Sequence, residues 1–419
     1  MPMFDLFTST ELASSPLESK GHTCETGGLY RTCKRPKMPP SGDGGKGVLV
    51  VAEAPGALED ARGTQLVGEC GQLLRRVLDN LDIDLDRDCW KTNACACRPP
   101  SNETPLPKQI LACRPKVFEA IKERKPKVVI LLGNTAVQSV IGAEYTEDSD
   151  YSIGRWRGYA IPSPMCNAWI VPSFHPSYIL RNEKMKEDKW GKSDMKRTDV
   201  AEVILEQDLR LAFEMAEKPL PEDLGVDFAS RVHLLSTVEA VAILGSVTDK
   251  DDIMVAFDYE TTGIKPHRKG HKIVCCSLCW EDKAAYSFML QGEVVPALKK
   301  FLKSSTKKVA ANMQYEDTWS RTILGVQVNN WFFDTMLASH LIENRKGVCS
   351  LKFQAYANFG MGCYTESVGL LKGERNDPNS FNGIEHIPED SLLLYNGLDS
   401  LFEYKLAKKQ LGIIRRWEQ

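Results

Sequence analysis

Short apolar runs alternate with amphipathic stretches over the first half of the chain. GVLVVAEAPG reads as a buried strand that stops at a Pro-Gly turn. GQLLRRVLDNL places its apolar positions at helical spacing, and KTNACACRPP follows as a second strand and loop. PKQILACRPKVFEAIKERK reads as a helix, KVVILLG as a third buried strand with a Gly stop, and NAWIVPSFHPS as a fourth strand. Residues 1–45 are rich in Gly, Pro and Lys and predict irregular structure. Strands alternating with helices imply an α/β fold, a parallel sheet with helices on both faces. The turns that carry Pro, Gly, His and Asn all follow strand C-termini, where open α/β sheets bind ligands.

DVAEVILEQDLRLAFEMAE predicts a long amphipathic helix. KPLPEDLGVDF then breaks the pattern and places a linker at 217–232, between domains at 1–216 and 233–419. DIMVAFDYETTG is a new strand with acidic residues at its end. Segments 293–303, 332–344 and 389–411 read as helices and 272–290 as a strand pair. The two halves share no internal repeat.

The 419 residues exceed one compact core, since domains average about 150 residues. Hydrophobic residues at 42% and charged residues at 26% are ordinary for a soluble protein. A net charge of −3 gives no global sign of nucleic-acid binding and leaves a local basic groove open. The N-terminus shows no signal sequence. No run reaches the roughly 18 apolar residues of a membrane span. The expected location is therefore the cytoplasm, without membrane contact. There, clustered cysteines point to metal or packing before disulfides, and the chain has 13. Those in KIVCCSLCW read as small buried hydrophobes. Cys97 and Cys113 stand apart, because each opens a Cys-Arg-Pro triplet around a Pro-rich loop entering a helix. Thiolates at a loop and a helix start can meet a metal without straining a regular element.

Four motifs converge on the predicted sheet edge of the first domain. EAPGALED puts Glu53 on a tight turn, GTQLVGECG is a Gly-punctuated loop, TNACACRPP carries Asn93, and FHPS carries His175. Singly, each has an ordinary structural explanation; their order and joint placement favour function. Together they resemble the family 4 uracil-DNA glycosylases, whose fold is a four-stranded parallel α/β/α sandwich. The resemblance implies that uracil is flipped from DNA and its glycosidic bond cleaved. Asn93 would read the pyrimidine edge, His175 would stabilise charge on the departing base, and Glu53 would position water or stabilise the cationic sugar.

The family also carries a [4Fe–4S] cluster on four cysteines. Cys97 and Cys113 match its second pair. Cys24 matches the first, but CETG lacks the second cysteine of that pair, and Cys33 is the natural replacement. Zinc, or free cysteines after loss of a cluster, are the alternatives. Where the family has Phe to stack on the flipped base, this chain has Gln65-Leu66, and Ala52 replaces a usual Gly. Leu66 can cover a base but stacks less specifically. The resemblance therefore leaves open a domain that excises uracil and one kept for engaging DNA. The pairing of CETGGLYRTCKRPKMP with EAPG is also similar to the N-terminal extension of certain phage family A DNA polymerases.

In the second half, FDYETTG places Asp258 and Glu260 two apart on a strand, so both project from one face. Paired carboxylates of this kind hold a divalent cation. Tyr395 and Asp399 sit four apart on a helical run and share a face. With Asn312-x-x-x-Glu316 between them, and FDTMLASHLIE with Asp334, the pattern resembles the DEDD proofreading exonuclease of family A DNA polymerases over about residues 233–415. That implies an RNase H-like domain with a mixed sheet and two Mg²⁺ or Mn²⁺ ions. Asp258, Glu260 and Asp399 would hold the metals, Glu316 would act partly through waters, Tyr395 would orient the attacking water, and Asn312 would contact substrate. The family has Asp where Glu316 stands; Asp317 follows directly, and spacing favours Glu316. The expected substrate is a single-stranded 3′ end of DNA, uracil-containing DNA being that of the first domain, and the product a 5′-nucleotide.

A family A polymerase continues into thumb, palm and fingers, and no such text follows IIRRWEQ. The expectation is a proofreading or repair subunit of a phage replisome in the bacterial host cytoplasm, partnered by a separately encoded DNA polymerase. Alternatives are a bifunctional enzyme that also excises uracil and a structural replisome subunit with degraded sites.

Overall fold

The computed structural model describes residues 23–182, 200–365 and 380–417. It divides into two compact units, Met1–Gly225 with Tyr356–Gly362, and Val226–Ala355 with Cys363–Gln419.

The first unit is built on strands β1 (Val48–Ala52), β2 (Cys89–Asn93), β3 (Val128–Leu132), β4 (Ile161–Ser163) and β5 (Ala168–Ser173), in the order β2-β1-β3-β5-β4. The four strands predicted from the apolar runs are mutually parallel. β1 and β3 are buried at every position, as continuous apolar runs in a parallel sheet require. The short β4 is an addition and runs antiparallel to β5. Its sequence Ile-Pro-Ser carries no strand signal, and Pro162 is tolerated because β4 is an edge. Helices α1 (Glu69–Asp79), α2 (Pro107–Arg124), α3 (Gly133–Glu144) and α4 (Val200–Ala216) complete the unit. Leu73, Leu74, Val77, Leu205 and Leu209 close one core against β1 and β3. Cys113 does not sit at a helix start: α2 begins at Pro107, so Cys113 lies in its second turn, just before the internal Pro115.

The second unit has a mixed sheet of β6 (Val232–Leu234), β7 (Met254–Thr261), β8 (Ile273–Glu281), β9 (Ala284–Met289), β10 (Lys307–Ala310) and β11 (Trp331–Asp334), ordered β11-β10-β7-β8-β9-β6. β7, β8 and β9 form an antiparallel meander, and β10, β11 and β6 add in parallel. Helices α5 (Thr237–Val247), α6 (Val294–Lys303), α7 (Met313–Trp319), α8 (Thr335–Ile342), α9 (Leu351–Phe359) up to Ala355, and α10 (Glu389–Ile414) accompany it. The helix expected over 332–344 starts later. Trp331–Asp334 pair with β10 instead, and the Asp334 carboxylate accepts the amides of Met336 and Leu337 to cap α8. Cys275, Cys276 and Cys279 are fully buried, as packing residues should be. No described helix is long and apolar enough to cross a membrane.

Candidate active sites

The strongest chemistry lies in the second unit, where β7 meets α10. Asp258 and Glu260 pair with Ser277 and Cys275 of β8, two positions apart, so the pleat points both carboxylates to one side. Ligand oxygens of Asp258, Glu260 and Asp399 all lie within 4.8 Å of one another. Asn396, one turn before Asp399's end of the motif, donates to Asp258 Oδ2 at 2.7 Å, and its carbonyl accepts the Ser277 hydroxyl at 2.7 Å. Burial, then the charges of Asp399, Glu260 and Glu316, push the Asp258 carboxyl well above the usual carboxylate range. A site that disfavours its own negative charge to this degree suits a cation.

Glu316 and Asp317 are neighbours on α7 with different surroundings. Glu316 is 2% exposed, and its Oε2 has no hydrogen-bond partner among the described residues. Burial holds its carboxyl well above the ordinary value. Asp317 instead pairs with Arg321 and accepts the Val328 amide at 3.4 Å. Asn312 sits at the N-cap of α7 in the left-handed region, φ +72°, which Asn tolerates better than most residues. Asp334 accepts the amides of Asn312 at 3.2 Å and Met313 at 2.9 Å, fixing that turn. Tyr395 is buried and stands beside Tyr364, ring centres 5.9 Å apart.

Three residues of this site escape sequence reading. Glu403 is 1% exposed; its Oε1 accepts the Ala311 amide at 3.1 Å, and its Oε2 is unpartnered among the described residues. Burial raises its carboxyl well above normal, with Asp258, Glu316 and Asp399 adding to the rise. The available signal was its spacing, four residues after Asp399 on the same helical face. Lys352 and Tyr364 both donate to Asp399 Oδ1, and nothing in their local sequence announces it.

In the first unit, three sequence-predicted residues share one edge of the sheet. Glu53 directly follows β1, Asn93 ends β2 opposite Ala52, and His175 lies two residues beyond β5. The Thr135 hydroxyl donates to Glu53 Oε2 at 3.0 Å. Asn93 is 5% exposed, and its Nδ2 meets no acceptor among the described residues. His175 Nδ1 accepts the Ser177 amide at 3.2 Å and lies 2.8 Å from the Ser177 hydroxyl. Burial, then the Arg181 charge, lowers the imidazole to about 4. The ring is therefore neutral at pH 7, and with Nδ1 accepting it carries its proton on Nε2, as a donor.

Leu66 lies elsewhere than an open base-covering face. It is 5% exposed and packs in the core with Leu73 and Leu74, on a backbone with φ +55°. Gln65 beside it is an anchor: it accepts the Ser41 hydroxyl at 2.5 Å and donates to the Pro39 carbonyl at 2.6 Å. Glu59 takes the amides of Val67 and Gly68 at 3.1 and 2.8 Å and so holds the rest of the loop.

A uracil DNA glycosylase superfamily model matches residues 39–197. A type-4 uracil-DNA glycosylase of Pyrobaculum aerophilum is 32% identical over 151 residues, 36% of this chain and 76% of that protein. The chain belongs, through its first unit, to the type-4 uracil-DNA glycosylase family. The Thermotoga maritima member is 35% identical over 135 residues, 32% of this chain and 67% of its own length. Residues 235–411 match a 3′–5′ exonuclease model, and the second unit is a 3′–5′ exonuclease domain. A DNA polymerase of Bacillus phage SP01 spans both, at 24% identity over 412 residues, 91% of this chain and 42% of that polymerase.

The type-4 family is of the iron–sulfur type, and exonucleases use divalent metals, so the donor sets here can be tested against those groups. Cys24, Cys97 and Cys113 line one small hollow, together with Leu29 and Ala112. Cys33 packs in the same apolar cluster. The Lys37 amide donates to Cys97 Sγ at 3.1 Å, a contact that favours thiolate. Position 27, where the family's second cysteine belongs, is Gly, and a Cβ there would lie 3.0 Å from that of Ala112. Three thiols lining an apolar hollow, Cys33 packed in the apolar cluster that holds Cys97 and Cys113, and an amide aimed at one sulfur fit an iron–sulfur cluster. Cys95 is a fifth thiol in the same apolar cluster, fully buried. Its side chain lowers the Cys113 thiol to about 7.

Proposed function

We propose that the chain removes nucleotides from single-stranded 3′ ends of DNA at the Asp258 site, with its glycosylase-type unit engaging the same nucleic acid. The convergence of Asp258, Glu260 and Asp399 carries this reading, joined by the buried Glu316, whose Oε2 meets no partner among the described residues. Asp258, Glu260 and Asp399 would hold two divalent cations, with Glu316 acting through water. When bound, such ions supply a hydroxide-like nucleophile and neutralise the departing 3′ oxygen. Asn396 fixes the Asp258 rotamer, and Asp334 holds the turn from which Glu316 projects. Tyr395 orients the water whose oxygen bonds to phosphorus as the P–O3′ bond breaks, releasing a 5′-nucleotide. A 5′-labelled oligonucleotide with Mg²⁺ should shorten stepwise from its 3′ end. An Asp258→Ala protein that shortens it at the native rate overturns the assignment.

A second reading, excision of uracil by the first unit, is favoured by the unpartnered Asn93 amide and the His175 tautomer. Asn93 Nδ2 would donate to a pyrimidine carbonyl, and His175 Nε2–H to the oxygen that gains charge as the base departs. Alkali-sensitive cleavage of uracil-containing DNA should survive Asp258→Ala and vanish in His175→Ala; no cleavage by the unaltered protein leaves the unit a DNA-engaging module.

For the cluster, Cys24, Cys33, Cys97 and Cys113 are the assigned ligands. Domain boundaries at 216 and 233 are supported by the change of unit at Gly225/Val226, inside the linker. A DNA polymerase partner in the host cytoplasm completes the reading. Size-exclusion with a candidate polymerase at low salt tests it, absence of a complex counting against.

A further inference from the structure

Lys352 stands inside the acidic cluster. Its ammonium donates to Asp399 Oδ1, which also accepts the Tyr364 hydroxyl at 2.6 Å. The two donors fill the lone pairs of that oxygen. The ammonium lies 3.8 Å from the centre of the Tyr364 ring and 4.2 Å from that of Tyr395, inside cation–π range. Side-chain exposure is 17% for Lys352 and 8% for Asp399, so water screens the pair weakly. The buried Lys308 shows what a structural lysine does here: it donates to the carbonyls of Ser304 and Thr306 and touches no carboxylate of the site. Lys352 instead brings its positive charge onto Asp399, and that charge also reaches Asp258. Without a cation, the charges of Asp399, Glu260 and Glu316 act against that of Asp258, and Lys352 offsets them.

We propose that Lys352 is the counter-ion of the metal-free site, and that a divalent cation enters by displacing its ammonium from Asp399. Lys352 thereby sets the cation concentration at which the exonuclease turns on. This rests on the exonuclease reading above. The two tyrosine faces keep the released ammonium close by, so the exchange is reversible. Lysine and cation compete for one carboxylate charge, and removing the lysine must strengthen cation binding.

The test is Mn²⁺ binding to the metal-free full chain without DNA, followed by electron paramagnetic resonance of free Mn²⁺. Lys352→Met should bind on the order of tenfold more tightly, the equivalent of one charge-assisted hydrogen bond. Lys352→Arg, which keeps the charge, should bind like the unaltered protein. Metal-free Lys352→Met should melt lower, and its melting temperature should rise further on adding Mn²⁺. Lys352→Gln gives the same comparison if the Met variant does not fold. Unchanged or weaker binding by these neutral variants overturns the proposal. If Asp258→Asn leaves Mn²⁺ binding of the unaltered protein intact, the metal-site reading itself fails, a result separate from the lysine comparison.

Discussion

Glu403→Gln should stabilise the metal-free second unit, increasingly so as pH rises. The carboxyl is 1% exposed, and its Oε2 meets no donor among the described residues. Burial, then the charges of Asp258, Glu316 and Asp399, raise it well above its ordinary 4.5. The folded chain therefore keeps a proton that the unfolded chain releases above that value. The stability this proton carries is complete below pH 4.5 and is lost as pH climbs toward the folded pKa. The loss amounts to about 1.4 kcal/mol per pH unit for one group. Glutamine keeps an oxygen for the Ala311 amide and does not titrate. Between pH 5.5 and 7.5 the gap between variant and unaltered protein should widen, by on the order of 1 kcal/mol per pH unit. That counts against the roughly 5–15 kcal/mol that holds a typical domain folded. Urea unfolding in EDTA at pH 5.5, 6.5 and 7.5 measures it. Asp258 and Glu316 are present in both proteins, so the difference reports the removal of the Glu403 carboxyl together with its coupling to them. A gap that stays constant with pH, or an unaltered protein that is the more stable at pH 7.5, refutes the reasoning.

Three further outcomes follow from the first unit. His175, held to about 4, stays neutral above pH 5.5; uracil release should show no imidazole titration from there to pH 8, and a limb centred near the ordinary 6.5 would contradict it. Gln65→Ala strands the Ser41 hydroxyl and Pro39 carbonyl and should cost about 1–3 kcal/mol in thermal unfolding; an unchanged melting curve argues that the loop has another anchor. Cys97→Ala should abolish iron content and visible absorbance after anaerobic purification, whereas Cys95→Ala retains them; full iron in the first variant removes Cys97 from the ligand set.

The parallel strands of the first unit were legible because their apolar runs are continuous, and the exonuclease motifs because a strand repeats every two residues and a helix every three or four. Asp258 with Glu260, and Tyr395 with Asp399, needed no tertiary information to share a face. The edge strand β4 was not legible, since three residues with a proline carry too little pattern. Trp331–Asp334 looked helical because FDTMLASHLIE has one apolar rhythm, and only pairing with β10 makes its start a strand. Leu66 seemed available to a base by loop position alone, yet it fills the core, on a backbone with positive φ.

The amino-acid order alone thus determined which residues point together along their own strand or helix, and hence the pair Asp258 with Glu260 and the pair Tyr395 with Asp399. Tertiary structure decided what stands opposite them. Lys352 and Tyr364 reach Asp399 across 47 and 35 residues of sequence, and Glu403 becomes part of the acidic cluster only when α10 lies against β7 and the turn before α7. Periodicity is a property of one element, whereas charge compensation depends on distance through space, which chain order does not record.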